Sequence, residues 1–336
     1  MKLSQKKLQM ANQKNNPPQK ENERGIDFFG ILKRAAKIVW QNKYLLWFGV
    51  LMAMGSPGSF NIGGSENWDG KGETAKNFIE THWQIVLVVS LVLFAIGIAL
   101  FLISLVGKAG LVKSVNLLAQ NKKANFREGW RMGKNYLWKL FRLFLLFFAA
   151  TLVVIIILAV PVIYLAVKGS WVSALIVGLL AVAIFIPLIF ILALTNIFAE
   201  FYIILSDLGV WSAVEAGYNL LLKNVLNSIV FGLLLLVVNI IAGIVLLPVA
   251  GIALLILVPT GLLFFYLNKI VFGVFLAIAI LLFLVAILFI SSIFLTYKTT
   301  AWTLFFQEIA RVKTEEAEKV AEEETKKEIA AAPEKA

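Results

Sequence analysis

The sequence has no cysteine and only one histidine in 336 residues. The first absence excludes disulfides, thiolate metal sites, cysteine nucleophiles and a lipoprotein anchor. The second leaves His82, a polar loop residue beside Trp83, as the one imidazole. Histidine metal clusters and the usual Ser-His-Asp arrangement have no further residue to draw on. No P-loop, GxSxG or HExxH motif is present. Charge is also scarce: 15% of residues are charged, against about 25% in soluble domains. No Asp, Glu, Lys, Arg or His falls in the central part of any long apolar run. The ionisable chains that mark proton and ion paths are therefore missing, which disfavours proton-coupled transport. The expectation is a protein without enzyme activity, cofactor or metal.

What the sequence has is hydrophobic residue, at 60% of the chain, with a mean hydropathy of +0.87. Several uncharged runs exceed the roughly 18 residues of a membrane-crossing helix. They are continuous rather than alternating in segments of about 10, so a β-barrel is excluded. The expected fold is all-α, a polytopic transmembrane helix bundle. Six spans are read: about 38–55, 85–106, 143–167, 171–197, 229–247 and 270–297. The stretch 250–266, bounded by Pro248 and split by Pro259-Thr260-Gly261, is read as re-entrant or interfacial. Pro161, Pro187 and Pro248 are expected to kink or end their helices. Residues 1–25 read as a disordered basic tail with no apolar signal region. A membrane domain over 26–307 follows, then a charged helical tail over 308–336, which either projects into solvent or docks a protein partner.

Basic residues fix the expected orientation. Residues 1–43 hold ten, 107–142 nine, 196–228 one and the C-terminal tail seven, whereas the opposite loops hold only four. That places the N-terminus, and with it the C-terminus, in the cytoplasm. Trp83, Trp138, Trp171 and Trp302 lie at span ends, where an apolar ring meets a wet edge.

A loose threefold repeat runs through the chain. FFGILKRAAKIVWQN, FREGWRMGKNYLW and WSAVEAGYNLLLKN each precede an odd-numbered span and carry Asn42, Asn135 and Asn224. Segments beginning at Ala109, Ala199 and Ala301 follow the even-numbered spans. The unit is an amphipathic helix, two spans and a closing segment. Apolar faces are expected at Phe29, Leu32, Ala36 and Val39, and at Trp211, Val214, Tyr218 and Leu221. Each amphipathic helix is expected to lie along the inner membrane surface. Lys33, Arg34, Lys37, Lys122, Lys123, Arg127 and Arg131 would then meet anionic lipid headgroups. Membrane lipids are the expected partners, and nucleic acid is not. Inside the spans Asn239 is the notable polar group, placed to hydrogen-bond a neighbouring helix. Glu66, Asp69 and Glu73 sit in a glycine-rich loop without calcium-loop spacing.

The Asn-aromatic words, the segment VWSAVEAGYNLLLKN and the closing TTAWTLFFQEI resemble a bacterial six-span membrane family, the domain also found fused ahead of glycerophosphodiester phosphodiesterases. The resemblance covers about residues 25–312. It implies a multi-span helical fold in a bacterial inner membrane and a link to lipid-headgroup metabolism. It brings no catalytic residue with it. The functional expectation is a lipid-binding or membrane-organising protein, with a permease or channel for a neutral or lipid-like substrate as the alternative.

Overall fold

A computed structural model of the protein describes residues 26–55, 80–267 and 269–331. The basic tail and the loop with Glu66, Asp69 and Glu73 lie outside the described residues. So do the last residues of the charged tail. The described residues are all-α, with no strand among them. In order they form α1 (Phe28–Gln41), α2 (Leu45–Met54), α3 (Trp83–Ala119), α4 (Phe126–Val167), α5 (Trp171–Ser206), α6 (Val210–Lys223), α7 (Val225–Leu267) and α8 (Lys269–Ala331).

Five described helices are long and apolar enough to cross a membrane, and α2 is not one of them. The expected first span, 38–55, is broken. The helix stops at Asn42, whose backbone turns away at φ −120° and ψ 69°, and resumes at Leu45. At 1.5 Å per residue the ten residues of α2 reach about 15 Å, half the hydrocarbon thickness. Gly55, just past its end, packs against Leu100 and Ser104 in the middle of α3. α1 and the closing part of α8 meet at the same end: the Tyr297 hydroxyl donates to the Leu32 carbonyl at 3.4 Å.

The stretch 250–266, read as re-entrant or interfacial, is helical throughout. α7 runs through Pro248 and Pro259 as one helix of 43 residues. Proline strips a bond from the carbonyl four residues back, here those of Ile244 and Leu255. Thr260 Oγ1 donates to the neighbouring Ile256 carbonyl at 2.5 Å. The partner helix also braces the stretch: Phe264 packs on Phe275 and Phe265 on Phe272, with ring centroids 4.9 and 5.4 Å apart. Pro161 and Pro187 likewise lie inside continuous helices. The charged tail continues α8 without interruption to Ala331.

The hydrophobic core sits at one end of the molecule. It gathers the closing part of α3 (Leu105 to Val115), the start of α4 (Leu140, Leu143), the closing part of α5 (Leu194 to Ile204), and α8 from Ala301 to Ile309, with residues of α1, α2, α6 and α7. At the far end the most apolar stretches of α3 and α5 bury none of their residues.

The repeat is visible in this core. Ala109, Ala199 and Ala301 are all fully buried. The lead-in helices α1 and α6 share one register. Ile31, Ala35, Ile38 and Val39 stand eleven, seven, four and three residues ahead of Asn42. Ala213, Gly217, Leu220 and Leu221 stand at the same offsets ahead of Asn224. Both asparagines use the side-chain amide to cap the carbonyl four residues back, Asn42 to Ile38 at 2.9 Å and Asn224 to Leu220 at 3.2 Å. The second copy differs. Its buried Gly129 and Gly133 keep the offset from Leu140 and not from Asn135, which is exposed, and α4 passes through the position without a break.

Each closing segment packs against the next lead-in helix: α3 against the start of α4, α5 against α6, and α8 back against α1. The three units therefore close a ring. The contacts are tight because small residues face backbone. A methyl group on Gly133 would collide with the Val106 carbonyl and stand 2.9 Å from the Gly110 nitrogen. One on Gly217 would stand 2.9 Å from the Ala199 nitrogen and 3.1 Å from the Thr195 carbonyl.

Candidate functional site

The site forms where α1 crosses the turn between α3 and α4. α3 ends in a left-handed cap. Asn121 takes φ 59°, the Lys122 amide reaches back to the Leu117 carbonyl at 2.9 Å, and the Asn121 amide reaches the Leu118 carbonyl at 3.0 Å. This is the Schellman arrangement, with asparagine tolerating the conformation glycine usually takes. It turns the chain sharply and leaves Lys122 and Lys123 exposed on the short loop before α4.

α1 brings the other half. Its buried face holds it against α8, so Arg34 and Lys37, on the opposite side, face this loop. Arg34 Nη2 donates to the Ala119 carbonyl at 3.0 Å, satisfying an orphan carbonyl at the negative end of α3. The result is a cleft of about 540 Å³ lined by Arg34, Lys37, Lys122 and Lys123, with amides from Gln41, Asn42, Asn121 and Asn125 and an apolar base of Ile38 and Leu118. Among the described residues no carboxylate lines it. The donor set is four cations and several amide N–H groups, which suits phosphate oxygens: arginine as a planar fork, lysine as a point charge.

Of the seven basic residues expected at a headgroup surface, the structure brings together Arg34, Lys37, Lys122 and Lys123. Lys33, Arg127 and Arg131 are exposed but do not line the cleft. The expected apolar faces of the lead-in helices hold at Val39 and Leu221, which are buried, and need correction elsewhere. Ile31, Ala35 and Ile38, and Ala213, Gly217 and Leu220, face the protein. Phe29 and Trp211 are each 75% exposed, and Ala36 and Tyr218 are also outside. The helices thus bury small residues against protein and turn their aromatic edge outward. The reason is the close backbone approach: Ala and Gly permit it, and a Trp or Tyr does not. Asn239 also departs from expectation. It is exposed on α7, and no hydrogen bond joins it to a neighbouring helix among the described residues.

Sequence reading missed the pairs that tie the units together. Lys108 of α3 forms an ion pair with Glu200 of α5. Gln307 of α8 donates to Asn116 of α3 at 2.7 Å. Lys139 of α4 bonds both the carboxylate and the carbonyl of Asp207, at 2.7 and 3.1 Å, and holds that carboxyl below its ordinary value of 3.8. The one available signal was the repeat itself, since Lys108 and Glu200 flank the equivalent alanines Ala109 and Ala199.

No curated protein and no solved structure matches this chain. A family model covers residues 43–310, a range that takes in Lys122 and Lys123 but leaves α1, with Arg34 and Lys37, outside. On that match, added to the multi-span helical architecture, the chain belongs to DUF7544, a family of unknown function.

Proposed function

We propose that this chain is a non-enzymatic, multi-pass inner-membrane protein of bacteria that binds anionic lipid headgroups at the cytoplasmic face. The observation that carries this reading is the convergence of Arg34, Lys37, Lys122 and Lys123 on one cleft that no described carboxylate lines. The cleft lies at the packed end, beside the exposed rings of Trp40 and Trp47, the belt expected where a bilayer meets water. Ten basic residues in 1–43 and nine in 107–142 put that end on the cytoplasmic side. The resemblance to the membrane domain fused to some glycerophosphodiester phosphodiesterases supports the same reading.

The test is binding of a fluorescent phosphatidylglycerol to the detergent-solubilised full chain, with phosphatidylcholine as control. The variant Lys37→Gln/Lys122→Gln/Lys123→Gln loses about 1 kcal/mol per residue, about 100-fold together. Unchanged affinity in that variant, or equal binding of both lipids by the wild type, sinks the proposal.

A further inference from the structure

A second cavity, of about 480 Å³, lies among α2, α3, α4, α5 and α8, and shares no lining residue with the basic cleft. One wall is aromatic: Phe101, Phe144, Phe147 and Phe148. Phe101 and Phe144 pack with ring centroids 4.6 Å apart and planes tilted by 55°. Phe144 and Phe148 stand exposed at the rim, so the cavity is not sealed from the surroundings of the bundle. Its polar end holds Lys108, Asn196 and Glu200.

The polar groups there are unevenly matched. Ser104 and Thr151 are satisfied locally, donating to the Phe101 and Phe147 carbonyls at 2.7 and 2.8 Å. Glu200 takes an ion pair from Lys108 and an amide bond from Asn196 at 3.5 Å. The Asn196 carbonyl oxygen is buried and receives no donor. Lys298, half-buried on α8 just outside the lining, feels the charge of Lys108, and Glu200 is the one carboxylate paired there among the described residues. Two cations against one carboxylate leave one positive charge beside an apolar wall, at the end of the spans where an acidic headgroup can pair with it.

We propose that this cavity binds a lipid-like amphiphile carrying one negative charge, with its chain along the phenylalanine wall and its acidic head at Lys108. A phosphodiester or a carboxylate head supplies the charge. A phospholipid with a hydroxylated head also supplies a donor for Asn196. The site is an intramembrane pocket, independent of the surface cleft.

The experiment reconstitutes the full chain in phosphatidylcholine nanodiscs doped with phosphatidylglycerol, and in a parallel arm with oleate. Retained molecules are then counted by native mass spectrometry. The wild type holds one phosphatidylglycerol or one oleate in preference to phosphatidylcholine, and the arm in which this occurs identifies the head. Filling the cavity with Thr151→Trp/Ala193→Phe lowers retention at least tenfold. Lys108→Gln/Glu200→Gln/Lys298→Gln keeps hydrogen bonding, removes all three charges and also loses the preference for the acidic lipid; it decides the matter if the filled variant does not fold. The cleft variant Lys37→Gln/Lys122→Gln/Lys123→Gln keeps this bound molecule, so failure of one site is separable from failure of the other. Retention of phosphatidylcholine equal to that of the acidic lipids, or unchanged retention in Lys108→Gln/Glu200→Gln/Lys298→Gln, overturns the proposal.

Discussion

The two ends of this molecule are built by different rules. At the packed end Phe231 and Phe305 stack at 4.3 Å with planes 10° apart, both fully buried. Ser292, Thr296 and Thr303 are also fully buried, and each hydroxyl returns to a carbonyl of its own helix. At the far end Leu255, Tyr266 and Ile270 are 75%, 84% and 78% exposed. The difference teaches where specificity resides. Between lipid tails and leucine there is little to choose, so the far ends need only be apolar. The packed end must fit.

Four measurements break or sharpen that contrast. The largest effect is expected from Phe305→Ala, which removes a ring packed on Phe28, Phe231 and Trp302. Thermal unfolding in detergent shows a loss of about 3–5 kcal/mol, whereas Leu255→Ala at the far end changes stability by less than about 0.5 kcal/mol. Second is Gly133→Ala, which forces a methyl group into the backbone of α3 and costs about 1–3 kcal/mol. Gly97→Ala, with nothing within 4 Å of the new methyl, is neutral or stabilising by up to about 1 kcal/mol. Equal responses at the two glycines contradict a tight α3–α4 crossing.

The third compares the asparagines. Asn42→Ala and Asn224→Ala each lose a side-chain cap at a helix break, for about 0.5–1.5 kcal/mol, and Asn135→Ala loses none. The smallest effect is at the rim. The Asp207 carboxyl is held below its ordinary value by the Lys139 hydrogen bond and charge. Its contribution is therefore present above about pH 4 and is lost as pH falls through the depressed folded value. Asp207→Asn flattens the stability profile in that acid window alone. The pair is exposed, so salt weakens the same contribution.

The helical class, α6 and the three units were legible because each leaves a periodic signal within one stretch of chain. The unbroken run of α7 through Pro248 and Pro259 was not: proline reads as a breaker where the packing of a partner helix is not visible. The second copy misled through Asn135, because glycines and not the asparagine set its register. The four cations of the basic cleft were legible as charge, but only the fold shows that a loop after residue 119 meets α1. Lys108 and Glu200 lie 92 positions apart, and each alone reads as an ordinary span end.

The closed ring has a consequence for synthesis. The apolar face of α1 finds its partner only when α8 exists, and the Leu32–Tyr297 bond spans 265 residues. At about 5–20 residues per second, α1 waits for tens of seconds with Ile31, Ala35 and Ile38 uncovered. During that interval the membrane surface is the one apolar phase in reach, and an amphipathic helix is suited to rest there. The helix that serves in the finished protein as a keystone is, in the nascent chain, a float.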